Sequence, residues 1–437
     1  MNKPNKNLSN EINFYLSKLF PINRSITGDG NRKTLRILNE IIKFDIKEYK
    51  SGSKVYDWTI PYEWEVKEAW IKDQKGNTLI DYKDNNIHLV SYSNPVKKFL
   101  SFNKLKNHLS YIKDKPDAIP YRTAYYNNDW GFCLSQKQYN KIKNISGKFE
   151  VFIDSKFKKK GSLTIGELLI PGKSKQEILV STYFCHPSLA NDNLSGTLLT
   201  TFLARELSLK KKLYYSYRFI WIPETIGAIA YCFKNEKILK NINIGFVISN
   251  VGGKGEFSYK QSWDKKHPIN NYAENVLNQY TTKFKCYPFD IHGSDERQYS
   301  SQGFRINTIT ISKDKYYEYP EYHTSLDNLE FVNGNQIAKT YQVYNDIIKL
   351  LEKRVIFKTV MPYCEIMLSK YNLYPRKGGS INPSFRKKSE LDKILWILFL
   401  SNGDLSTKEI AKKINGEHKN IYNIYLKLEK HGVVKRV

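Results

Sequence analysis

Four residues of types that do chemistry fall where strand-like runs end: His186, Asp192, Glu224 and His323. His186 and Asp192 share the bend STYFCHPSLANDNLSG, Glu224 follows YRFIWIP, and His323 lies in EYHTSLDN. Imidazole and carboxylate are the protein ligands of a catalytic zinc that keeps one position for water. Water on such a metal loses its proton near neutrality, and a neighbouring glutamate can carry that proton to a leaving group. Each residue also has a plainer reading. A single histidine is commonly a structural side chain, Asp192 fits the N-cap of a helix, and Glu224 after Pro223 favours a helix's first turn. Their shared address is what points to a site.

That address comes from the elements that must carry them. After about Gly147 the runs FEVFID, LTIGELLI, EILVSTYF, YRFIWIP, IGFVISN and INTITIS read as strands. Helical spacing at 193–209, 226–239 and 272–282 separates several of them. Alternating strands and helices predict an α/β fold, a central mixed, largely parallel sheet with helices on both faces, and such sheets bind ligands beyond the carboxyl ends of their strands. His186, Glu224 and Asn250 follow three successive strands, and His323 lies in the loop after a fourth, so all are expected at one rim.

The N-terminal part has a different texture. Positions 10–19 and 32–44 carry apolar residues at helical spacing, joined by PINRSITGDGN, a turn with an arginine, hydroxyls and glycines that could hold an anion. From Val55 short alternating aromatic runs read as a small β-rich module, which also contains AIPYRTAYY. Arg24 and Arg122, with Tyr121, Tyr125 and Tyr126, would cap the pocket from this side, or the rings would simply pack between modules. Asp295, Glu296, Arg297 and Tyr299 read as rim residues for a substrate's charged end, or as an ordinary surface ion-pair cluster.

Past NLYPRKGGSINPSF the order helix, helix, turn, helix and a final strand is that of a winged helix. The expected division is 1–50 with 146–360 for the α/β domain, 51–145 for the insert, 361–385 for a linker and 386–437 for the winged helix. From Arg386 onward there are twelve Lys+Arg and six Asp+Glu. The third helix, NIYNIYLKLEK, carries its lysines late, where base contacts are uncommon, and only one strand follows it. Docking to protein or self-association is therefore favoured over DNA, which stays open as a partner.

The bulk composition sets outer limits. A hydrophobic share of 41% and an aromatic share of 14% describe a folded chain. The net charge of +27 is spread over the whole length, with lysine accompanied by abundant asparagine, tyrosine and isoleucine, which argues for a compositional bias over a binding stripe. Five single cysteines exclude a disulfide framework and a cysteine-based zinc module. No stretch is apolar over a length that spans a bilayer, so no membrane partner is expected and a reducing cytoplasm is.

HPSLANDNLSG, PETIGAIAY, GSDERQYSSQGF and YHTSLDN, in that order, resemble the landmarks of zinc aminopeptidases. The whole chain is similar to a bacterial aminopeptidase-like group catalogued as a domain of unknown function, with an inserted β-domain and a C-terminal winged helix; PINRSITGDGNRKTL, AIPYRTAYY and WGFCLS belong to that likeness. The resemblance implies zinc on His186, Asp192 and His323, Glu224 as general base, and a peptide-like or amide-bearing substrate. It also exposes departures. Thr225 stands where two-metal enzymes have a second glutamate, Asn250 where they have an aspartate, and Ser188 where an aspartate usually orients the metal histidine. One zinc per chain is the expectation, although a shifted registry would make Glu224 a ligand and leave the base unassigned. The competing reading is a non-catalytic sensor in which a degenerate pocket binds a ligand and the winged helix reports it.

Overall fold

Runs that are apolar at every position must be covered on both sides, and the computed structural model, which describes residues 6–375 and 389–436, places them so. The chain divides into two units, Met1–Ile347 and Ile348–Val437. The first is built on an eight-stranded sheet of β1 (Asp45–Lys50), β2 (Ser162–Ile170), β3 (Glu177–Tyr183), β4 (Ser216–Ile222), β5 (Ile244–Val247), β6 (Ser258–Lys260), β7 (Lys285–Tyr287) and β8 (Asn307–Ser312). The order is β1-β2-β4-β3-β5-β8-β6-β7. The four central strands β4, β3, β5 and β8 are mutually parallel, and antiparallel neighbours flank them on both sides. Every residue of β4, β5 and β8 is buried.

Helices α1 (Lys6–Leu19), α2 (Asp29–Ile41), α3 (Gly196–Ser208), α4 (Ile226–Lys234), α5 (Pro268–Tyr280) and α6 (Gly334–Glu352) accompany the sheet. From β3 the chain steps through α3 to β4 on one side, then returns through α4 past β3 to β5 on the other. Crossovers of one hand that step in opposite directions put α3 and α4 on opposite faces. The reversal opens a crevice at the carboxyl ends of β3 and β5, the standard ligand position in such sheets.

The insert forms a four-stranded antiparallel sheet in the order Thr78–Asp81, Glu63–Lys72, Lys148–Lys158, Val96–Ser101. This corrects the boundary at 145. FEVFID lies in Lys148–Lys158, which pairs with Glu63–Lys72 and Val96–Ser101, so it belongs to the insert and not to the central sheet. Its alternation of buried and half-buried positions is that of a strand covered on one face. The insert does not stand apart: Val55, Ile71 and Phe149 share one continuous core with Leu179, Ile220 and Val247.

In the second unit α7 (Glu390–Leu400), α8 (Thr407–Lys413) and α9 (His418–Lys430) form the winged helix. Capping boxes start two of them, Ser389 with Asp392 and Ser406 with Glu409. Strand Ile356–Thr359 pairs antiparallel with both Asn402–Ser406 and Val434–Arg436. The unit thus begins well before residue 386 and has the paired strands that the final strand alone could not supply. Leu368 and Leu373, within the expected linker, are buried in its core. Residues 376–385 of that linker, with 386–388, lie outside the described residues. Among the described residues no helix is long and apolar enough to cross a membrane.

Candidate metal centre

The bend after β3 is tied down by the motif D-N-x-S-G itself. Asn193 Nδ2 donates to Thr182 Oγ1, Tyr183 O and Ile248 O, while its Oδ1 accepts from Gly196 N and Asn250 N. One amide side chain therefore fastens the bend to the ends of both β3 and β5. Ser195 Oγ donates to Asn191 O and accepts from Val251 N. Gly196 is required by close approach: a Cβ there would lie 2.4 Å from both Asn193 Oδ1 and Ile248 O. The peptide between Asp192 and Asn193 is cis.

Within this frame one ligand atom each from His186, Asp192 and His323 lies within 4.8 Å of the other two. His323 Nε2 is 3.0 Å from Asp192 Oδ2, and Tyr183 donates its hydroxyl proton to Asp192 Oδ1. Glu224 stays just outside this group, its Oε2 3.8 Å from His186 Nε2. The His186 and Asp192 side chains are 6% and 1% exposed, against 27% for Glu224 and 34% for His323, so the opening to solvent is on the side of the last two. Two nitrogen donors and one carboxylate around a common point, partly open, fit a catalytic zinc.

The charges follow from burial and proximity. Burial pushes the His186 imidazole down to about 4, against the pull of Asp192. His323 is raised, because the hydrogen bond and charge of Asp192 outweigh its own burial. Burial alone would raise Asp192, yet the two histidines and Tyr183 bring it down to about 2. Burial and the charge of Asp192 push Glu224 up to about 7. A carboxylate poised there suits proton transfer near neutrality.

The second half of the site is held by the insert. Tyr121 N donates to His323 O at 2.8 Å, Ser325 N to Ile119 O at 2.9 Å, and Ile119 N to Ser325 Oγ at 3.0 Å. Tyr121 also meets both histidine rings edge-on, 5.1 Å from His186 and 5.3 Å from His323, while Tyr322 stacks on His323 at 4.0 Å. His323, Thr225, Asn250 and Ser188 all have positive φ, between 46° and 61°. Such non-glycine conformations are costly and cluster at functional sites.

The other residues read as rim groups fall elsewhere. Asp295 is buried beneath Glu224 and accepts Thr225 N–H at 2.8 Å. Glu296 is buried, braced by Ser294 N and Thr310 Oγ1, and Tyr299 sits in the core against Ser181 Oγ at 2.8 Å. Arg297 is exposed and donates to Ile291 O at 3.3 Å. Arg24 is fully buried behind the metal group, donating to His186 O at 3.1 Å and Leu19 O at 2.6 Å, and burial lowers it to about 9. Arg122 is exposed, its carbonyl accepting Ser91 N–H. The pocket cap read at Tyr125 and Tyr126 divides: Tyr125 shares a hydroxyl contact of 3.0 Å with Tyr121, whereas Tyr126 points to Thr59 O. Of the charged residues among these, Asp295, Glu296 and Arg24 are buried, while Arg122 and Arg297 are exposed.

Sequence reasoning missed Tyr183, Asp327 and Tyr322. Asp327 accepts Asn191 N at 2.6 Å and Asp192 N at 2.9 Å and so shapes the bend, although burial raises it to about 8. Its signal was present as the carboxylate four residues past His323 in YHTSLDN.

Residues 14–354 match the family described as Domain of unknown function (DUF4910), and 355–436 match a winged helix-turn-helix family. A protein of Clostridium acetobutylicum, provisionally named a polysaccharide biosynthesis protein with aminopeptidase-like domain, is 41% identical over 94% of this chain and 93% of its own. A crystal structure of a provisionally named peptidase from the same organism is 39% identical, with a TM-score of 0.78 over 98% of this chain and 96% of that one. A zinc aminopeptidase from Bacillus subtilis shares the fold at 14% identity and a TM-score of 0.58, over 79% of this chain and 95% of that one.

Proposed function

The chain belongs to the DUF4910 family and has an aminopeptidase-like fold, and from that premise we propose that it is a zinc-dependent hydrolase cleaving a peptide or amide bond. One observation carries the reading: His186, Asp192 and His323 converge while Glu224 stands 3.8 Å from His186 without joining them. His186, Asp192 and His323 would hold one zinc, which when bound acts as a Lewis acid on the carbonyl and makes water acidic enough to ionise near neutrality. Glu224, partly exposed on the open side, would take the proton from the attacking water and pass it to the leaving nitrogen. Tyr183 and Asp327 would hold the Asp192 carboxylate and its backbone in place. Thr225 and Asn250 leave the second metal position short of carboxylates, which supports a single ion. The relative's name directs the search for substrate to amide-bearing precursors of polysaccharides. Glu224→Gln should keep zinc and lose turnover on a panel of such amides; unchanged turnover would remove Glu224 from the reaction.

A second reading also rests on Thr225 and Asn250: a binding-only pocket coupled to the winged helix. Lys427, one of two late lysines on α9, pairs with Glu390 at 2.9 Å, which lessens its reach for phosphate. A gel-shift salt series with the full chain decides it. Sequence-selective binding altered by a pocket ligand would support the sensor, and its absence would leave the hydrolase.

A further inference from the structure

His186 and Glu224 come from successive strands, and one atom touches both. Cys185 Sγ accepts the backbone N–H of Glu224 at 3.2 Å and lies 3.7 Å from His186 Nδ1. The cysteine is 1% exposed. Ser188, at the position where an orienting aspartate was expected, is turned away: its Oγ donates to Phe20 O at 3.2 Å and accepts from Asn86 Nδ2 at 2.7 Å. Nε2 of His186 faces Glu224, so a metal taken on that atom requires its lone pair and leaves the ring proton on Nδ1. A buried N–H needs an acceptor, and metal-binding histidines regularly find one in an outer shell that sets tautomer and ring orientation. Among the described residues the group within reach of Nδ1 is Cys185 Sγ.

We propose that Cys185 is the positioning residue of the metal centre. Its sulfur accepts His186 Nδ1–H and Glu224 N–H together, fixing the tautomer of one and the backbone of the other from a single point. The inference rests on the zinc reading of the site. It also accounts for a cysteine directly before the metal histidine in a chain whose other cysteines touch neither group.

The test is zinc affinity of the purified full chain, by competition with a chromophoric chelator. Cys185→Ala should weaken binding about ten- to hundredfold, as loss of an outer-shell partner does. Cys185→Ser, which keeps an acceptor, should recover most of that loss. Cys232→Ala, which removes a buried thiol on α4, should leave affinity unchanged. Equal affinity in wild type and Cys185→Ala, or equal losses in Cys185→Ala and Cys232→Ala, would overturn the proposal while the zinc reading stood. No zinc binding by wild type would instead defeat the zinc reading. Should Cys185→Ala fail to fold, the tautomer of His186 in the metal-free wild type, read from its ring nitrogen NMR signals, decides: a proton on Nδ1 is expected, and one on Nε2 overturns the proposal.

Discussion

The two histidines of the candidate centre are held by different means. His186 leaves the end of a buried parallel strand, with its carbonyl on Arg24 and its ring enclosed. His323 lies on a loop, a third exposed, kept in a left-handed conformation by a short bridge to residues 119–121 of the insert. The sheet makes one half of the site rigid as a by-product of its own packing, whereas the other half depends on contacts with the insert. The insert supplies the backbone partner of the loop that carries His323.

Asp327 joins the halves, since it belongs to the His323 loop but accepts two N–H groups of the bend that carries Asp192. Asp327→Ala would strand both donors in the interior, at about 1–3 kcal/mol each. A stability loss on the order of 2–6 kcal/mol, read by urea unfolding, is expected. A loss below about 1 kcal/mol would show that water reaches the bend and that the halves are independent.

How much of this was legible follows the same division. Strand ends are readable because continuous apolar runs specify parallel strands, and these deliver His186, Glu224 and Asn250 to one edge. The winged helix was visible in its turn signals and capping box at Ser406 and Glu409. What escaped were partnerships between distant segments. Ile356–Thr359 pairs with strands that start 43 or more residues later, and Lys148–Lys158 pairs back across the insert. Burial also reversed the reading of polar residues: Asp295, Glu296 and Tyr299 look like rim groups in a line of text, and only the fold turns them inward. Their types were right for a site, but their environment was not encoded nearby.

Titration should separate the two histidines in the metal-free protein. His186 falls from an ordinary 6.5 to about 4 on folding, so between these values the unfolded chain binds the proton and the native one does not. Stability therefore rises with pH across that window, by about 3 kcal/mol for a shift of this size. His323 is shifted the other way, so its contribution is complete below 6.5 and is lost as pH rises through its folded value. Glu224 and Asp327, raised to about 7 and about 8, contribute with a slope opposite to that of His186 over much of the same range, so the readout is the difference from wild type. Urea midpoints of His186→Asn should lack the rising acid limb between about 4 and 6.5, and those of His323→Asn the falling limb above 6.5. An acid limb unchanged in His186→Asn would mean that the enclosure of His186 is looser than its contacts suggest.

The smallest change probes the bridge itself. Ser325→Ala removes the acceptor of Ile119 N–H but leaves Ser325 N–H on Ile119 O and Tyr121 N–H on His323 O. One net hydrogen bond is worth about 1 kcal/mol, which corresponds to about fivefold faster local opening. Hydrogen exchange at the amides of Ile119, Tyr121 and Ser325 should accelerate by that factor, with the amides of Ile248 and Asn250 unaffected. If the zinc reading holds, the metal should also be released faster, because only the loop half has been loosened. Acceleration at both sets of amides would mean that the centre opens as one body, and the distinction between a rigid half and a borrowed half would have to be given up.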